Sequence, residues 1–99
     1  MEQQLSHNHA HLELENADSA QKEVRVMSGE IGMLHGNTTP GAEFDVVIQD
    51  MAGREIGRKF FKTDIDRFGE RIDLPVNDKS CIIKIENVRG AKAVDIFLD

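Results

Sequence analysis

The stretch from Glu43 to Phe61 leaves this chain few choices of fold. Phe44, Val46 and Ile48 fall on one side of an extended backbone and Asp45, Val47 and Gln49 on the other, the period-2 alternation of a half-buried strand. Asp50-Met51-Ala52-Gly53 then supplies a turn, because Asp bonds its own backbone two residues on and Gly takes the positive φ that ends a type I turn with a G1 bulge. Arg54 to Lys62 returns as a second extended run, so the two are expected to pair as a hairpin. In the returning strand Ile56, Arg58 and Phe60 share a parity. Adjacent Phe60 and Phe61 then point to opposite faces, and either one ring is exposed or the strand is bulged.

The rest of the chain repeats this pattern of short strands separated by turn residues every eight to twelve positions, the habit of an all-β sandwich or barrel. Val24 and Val26 alternate with Arg25 and Met27. Ile31 to His35 reads as a weaker strand, and Gly36 to Gly41, with Pro40, as a loop. Asp66-Arg67-Phe68-Gly69 reads as a corner, after which Ile72 and Leu74 alternate with Arg71 and Asp73 until Pro75. Cys81, Ile83 and Ile85 share one face, as do Val94, Ile96 and Leu98. Asn87-Val88-Arg89-Gly90 between them repeats the logic of the Asp50 turn, so the last two strands are expected to form a second hairpin. The expectation is a two-layer antiparallel β-sandwich of immunoglobulin-like type with about seven strands over residues 22–99. Residues 1–21, polar and rich in Gln, Asn, His and Glu, are expected to be a disordered arm.

Ninety-nine residues allow one domain with a thin core, and stability of about 5–10 kcal/mol is typical for that size. The net charge of −6 argues against nucleic acid as a partner, since that affinity comes largely from neutralising phosphates. No apolar run of 18 residues is present, so membrane insertion is not expected, and the opening residues have no signal-peptide pattern. A cytoplasmic location follows for the chain as written, and an exported or cell-surface one if it was cut from a longer parent. A single cysteine excludes an intrachain disulfide.

Candidate chemistry is sparse, and no cofactor is implied. His7, His9 and His11 stand at i, i+2 and i+4, so an extended arm would put all three on one side, as a weak transition-metal site requires; a fourth ligand and a rigid frame are not visible. Asp64 to Gly69 starts like a calcium loop, but Phe68 and Pro75 occupy positions where oxygen ligands belong. The parity of Cys81 places it among Ile83 and Ile85 as a buried, inert thiol. With neither Tyr nor Trp, the chain lacks the usual platforms for sugars. Arg58, Lys59, Phe60 and Phe61 cannot all be buried or all be solvated, which makes their strand the expected binding face.

The runs FDVVIQDMAGREI, FGERIDLPV and CIIKIENVRGAKAVDIFL resemble the small β-sandwich domains at the C-termini of proteins exported by the bacterial type IX secretion system, and related immunoglobulin-like surface modules. Asp50, Gly53, Arg54, Ile72, Asp73, Leu74, Ile83, Lys84 and Ile85 match their order of strands and turns over about residues 42–98. The penultimate strand lacks the usual Gly-x-Tyr step, which here is Lys79-Ser80-Cys81, and no Pro-Asn-Pro opens the chain near Val24. The leading functional expectation is a non-catalytic module that binds another protein or a second copy of itself. The resemblance implies an alternative, a sorting or surface-attachment domain of a bacterial protein, and the histidines a further one, a weak metal-binding protein.

Overall fold

A computed structural model of the chain describes residues 8–14, 17–26, 30–75 and 80–99. Among them are eight strands and no helix: β1 (His9–Glu13), β2 (Ala20–Arg25), β3 (Glu30–Thr38), β4 (Glu43–Gln49), β5 (Glu55–Lys62), β6 (Arg67–Pro75), β7 (Ser80–Arg89) and β8 (Ala93–Leu98). They form two four-stranded antiparallel sheets with strand orders β1-β8-β3-β6 and β2-β7-β4-β5. The molecule is a β-sandwich.

The pairs β4·β5, β3·β6, β2·β7 and β1·β8 nest inside one another. The chain is in effect one long antiparallel ribbon, doubled back at the Asp50 turn and then rolled so that β3 also meets β8 and β4 also meets β7. This is the wrapping of an eight-stranded jelly roll. It corrects the immunoglobulin-like expectation, since in an immunoglobulin sheet the first two strands neighbour one another, whereas here β1 and β2 lie in different sheets.

The tip forms as its residues dictate. Asp50 Oδ1 accepts hydrogen bonds from the backbone N–H of Ala52 (3.0 Å) and Arg54 (2.8 Å), the Gly53 N–H donates to the Asp50 carbonyl (3.0 Å), and Gly53 takes φ 87°. A register shift between Ile48 and Gln49 leaves Ile56 as the extra residue of a bulge in β5. The second expected hairpin is absent. Asn87, at φ 53°, is the extra residue of a bulge within β7, and the chain then crosses at Gly90 (φ 77°) to the opposite sheet, so β7 and β8 do not pair. Each strand carries its own apolar face, but neither encodes which strand it will lie beside.

Two loop expectations also give way to strand. Gly36 to Thr38 continue β3, where Gly36 is required by packing: a Cβ there would lie 1.8 Å from the Asp95 carbonyl oxygen. Arg67 to Gly69 already belong to β6. The largest correction is at the N-terminal side. Residues 9–13 are a strand rather than an arm, and Ala10, Leu12 and Leu14 are buried at 1%, 3% and 3% exposure. The small apolar Ala10 completes an alternating triad with the two leucines. The sandwich therefore includes residues before Lys22.

Phe44, Val46 and Ile48 of β4, with their β7 neighbours Ile83 and Ile85, face Leu34, Val94 and Ile96 of the other sheet across the core, all at most 2% exposed. Val47 points away from that core yet is 1% exposed. Its register partners Arg58 and Lys84 flank it, and their aliphatic stems cover it.

Candidate functional site

β5 is an edge strand, and its four expected site residues divide into four different environments. Arg58 lies on the outer face of its sheet, where its guanidinium donates to Asp45 (3.3 Å), Glu55 (3.0 Å) and Glu86 (2.8 Å). Hydrogen bonds to Glu55 and then Glu86 hold that guanidinium protonated beyond its ordinary range, and Arg58, then Lys84, hold the Glu86 carboxyl below its own. Phe60 lies on the same outer face and is 59% exposed. Phe61 turns inward and is 8% exposed, its ring 4.7 Å from Phe68 and 6.0 Å from Phe44. The adjacent rings thus take opposite faces without a bulge at that point, and Phe60 is the exposed one.

Lys59 also turns inward, because its register partner is the fully buried Val46. A charged side chain aimed into the seam of a sandwich is tolerated here because the seam is open. On the other side of the molecule the sheets are tied, with the Asn8 N–H donating to the Arg25 carbonyl at 2.6 Å. On this side β5 and β6 meet at two places. Leu74 packs against the bare backbone of Gly57, where a Cβ would sit 2.5 Å from Leu74 Cδ1, and Phe61 meets Phe68. Between these contacts Lys59 reaches across to Glu70 of β6 at 3.7 Å. Both side chains are nearly half exposed, so the pair contributes at most about 0.2–1 kcal/mol and exchanges with water.

Beside this ion pair is a groove of about 360 Å³. Ile72 and Leu74 wall it, Leu34, Val46 and Ile48 lie at its foot, and Gly57, Arg58, Lys59, Arg71 and Asp73 complete its lining. Sequence reasoning found Lys59 but not the groove. The parity of Gly57, Lys59 and Phe61 carried part of the signal; that β6 stands opposite did not follow from it.

A second cluster covers the outer face of the other sheet. Register places His9 of β1 and His35 of β3 on either side of Phe97 of β8, and the three rings stack, at 4.4 Å and 5.4 Å between centroids. Asp95 accepts from His9 Nε2 (3.0 Å) and His11 Nδ1 (2.8 Å), Glu13 accepts from His11 Nε2 (2.6 Å), and Asp99 accepts from His35 Nε2 (2.5 Å). Carboxylates only accept, so His11, bonded to one at each ring nitrogen, is the imidazolium in this geometry. Its pKa is correspondingly raised, by Glu13 first and Asp95 next. Burial works against the charge of Asp95, but the bonds from His11 and His9 outweigh it and lower its pKa.

His9 and His11 do share one side, as expected of an extended segment, but both are directed onto Asp95 of the neighbouring β8, and His11 also onto Glu13 of its own strand. Among the described residues no group of three or more His, Cys, Asp or Glu is placed to hold a metal ion. His7 lies outside the described residues. His35, at the end of the strand expected over Ile31 to His35, sits within β3. Cys81 is fully buried, and burial, with Glu23 adding to it, pushes its thiol up to about 11.

Fold and site together define a jelly-roll β-sandwich with one laced and one open seam. The chain is similar to a solved structure described as that of PirA, at 16% identity and a TM-score of 0.56, with 97% of each chain covered. At that identity the likeness is one of fold alone. No protein-family model matches the chain, and no curated protein does.

Proposed function

We propose that this domain is a non-catalytic binding module that engages another polypeptide, or a second copy of itself, along the edge of β5. The observation that carries this reading is Phe60: a phenyl ring 59% exposed on an edge strand, flanked by the ordered Arg58 network. Aromatic side chains are enriched in interfaces, and because the inward Lys59 discourages an added strand, the partner is engaged through the outer-face side chains of Phe60 and Arg58. Of the four residues expected to form the site, Phe60 and Arg58 are on the engaging face. Lys59 and Phe61 face the seam and the core.

A photo-crosslinking residue at position 60, introduced in the native source, tests the reading. One at position 51, in the exposed tip turn, is the control. The expected result is a discrete adduct, another protein or a dimer, from position 60 alone. Identical adducts from both positions, or none from position 60, would overturn it.

A further inference from the structure

We propose that the groove between β5 and β6 binds a small amphiphilic carboxylate, its aliphatic body against Ile72 and Leu74 and its head on the Lys59 ammonium. The site faces into the seam while Phe60 faces away, so this inference and the edge-binding reading stand or fall separately.

Four observations converge. The first is size: about 360 Å³ lies within the range of small-ligand pockets. The second is chemistry of the walls. Ile72 and Leu74, with Leu34, Val46 and Ile48 beneath, are aliphatic and offer no aromatic platform, which suits a flexible hydrocarbon body rather than a flat ring or a sugar. The third is charge. Among the charged lining residues Lys59 has the inward parity, opposite the buried Val46, whereas Arg58 is on the outer face. Arg58 already holds three carboxylates on the outer face, so it offers no free fork for a phosphate, whereas Lys59 offers a single ammonium.

The fourth is the Lys59–Glu70 pair itself. Glu70 shows that a carboxylate reaches the ammonium at the mouth of the groove, and its separation of 3.7 Å with both side chains nearly half exposed makes it an exchangeable partner. A ligand carboxylate tethered to a buried hydrocarbon displaces it. An inward lysine on an edge strand also discourages strand pairing, but that role alone gives no reason for a groove beside it.

The test is titration of the full chain with decanoate, followed by methyl NMR, with decan-1-ol as the uncharged comparison. Saturable shifts confined to Ile72, Leu74 and Val46 are expected, with decan-1-ol at least tenfold weaker. Lys59→Met, which keeps the stem and removes the charge, should abolish that preference. Glu70→Gln, which removes the competing carboxylate, should tighten decanoate severalfold. Shifts spread over the whole chain, no saturation, or an unchanged preference in folded Lys59→Met would overturn the proposal. If Lys59→Met does not fold, Glu70→Gln decides: unchanged or weaker decanoate binding rejects it.

Discussion

Replacing Leu12 by Ala separates a structural β1 from a loose polar arm. Leu12 is 3% exposed and its register partner is Val94, itself fully buried. The substitution removes three carbons, about 2.4 kcal/mol at about 0.8 kcal/mol each, before any cavity cost. Leu→Ala changes in cores span about 2–5 kcal/mol, and an edge strand can partly close over the gap, so a loss of about 2.5–3 kcal/mol is expected. That corresponds to a fall in Tm of about 10–20 °C for a domain of this size. Urea unfolding followed by far-UV circular dichroism measures it, since the chain has neither Trp nor Tyr to report by fluorescence. His11→Ala, on the opposite face of the same strand, is the control and should lose about 1 kcal/mol or less. A loss under about 0.5 kcal/mol for Leu12→Ala, the range of an ordinary surface change, would refute the docking of β1.

The His11 bonds make a pH-dependent contribution. The raised His11 pKa gives stability present below 6.5 and lost as pH rises through the folded value; the lowered Asp95 pKa gives stability present above 3.8 and lost as pH falls through its folded value. The stability difference between wild type and His11→Gln should therefore be largest between pH 3.8 and 6.5, at about 0.2–1 kcal/mol, and shrink as pH rises through the folded His11 value and in high salt, as urea midpoints will show. On β5, Phe61→Ala should cost about 3–5 kcal/mol and Phe60→Ala about 0.5 kcal/mol or less by the same measurement; similar costs for both would contradict their opposite facing. Cys81, with its thiol pushed up to about 11, is about one part in a thousand thiolate at pH 8 and is also buried. Iodoacetamide should label it only in denaturant, and rapid labelling of the folded chain would refute its burial.

The β4–β5 hairpin was legible because everything that makes it is contiguous: two alternating runs, an Asp to hold the turn and a Gly to close it. The sandwich was legible for the same reason, as a series of half-apolar strands. What stayed hidden depends on residues far apart in the chain. The apolar parity of β8 says that Val94, Ile96 and Leu98 face a core, but not that β1 and β3 flank it; Asn87 and Gly90 looked like a second hairpin turn and act instead as a bulge and a crossing between sheets. His9 and His11 read as possible metal ligands because Asp95, their actual partner, is more than eighty residues away. Lys59 was identified as a candidate, but its inward direction required the bulge at Ile56 and the burial of Phe61 to fix the parity of β5. Residues 42–98, on which the expectation of a sorting-like domain rests, supply β4 to β8, and three of those strands find partners in β1 to β3, before that segment.

The nested ribbon also orders events in time. Pairing at the tip joins Gln49 to Glu55 across a short loop, whereas the outermost pair joins His9 to Phe97. Loop closure grows costlier with separation unless inner rungs have already shortened the path, so the ribbon closes most readily as a zipper running outward from Asp50. Substitutions at Val46 or Phe61 should then slow folding, and those at Leu12 or Val94 should chiefly speed unfolding, which stopped-flow circular dichroism distinguishes. The reverse pattern would place the nucleus elsewhere. On this view the open seam beside β5 flanks the part of the molecule that assembles first, and β1, with its histidines, is the last strand on and the first one off.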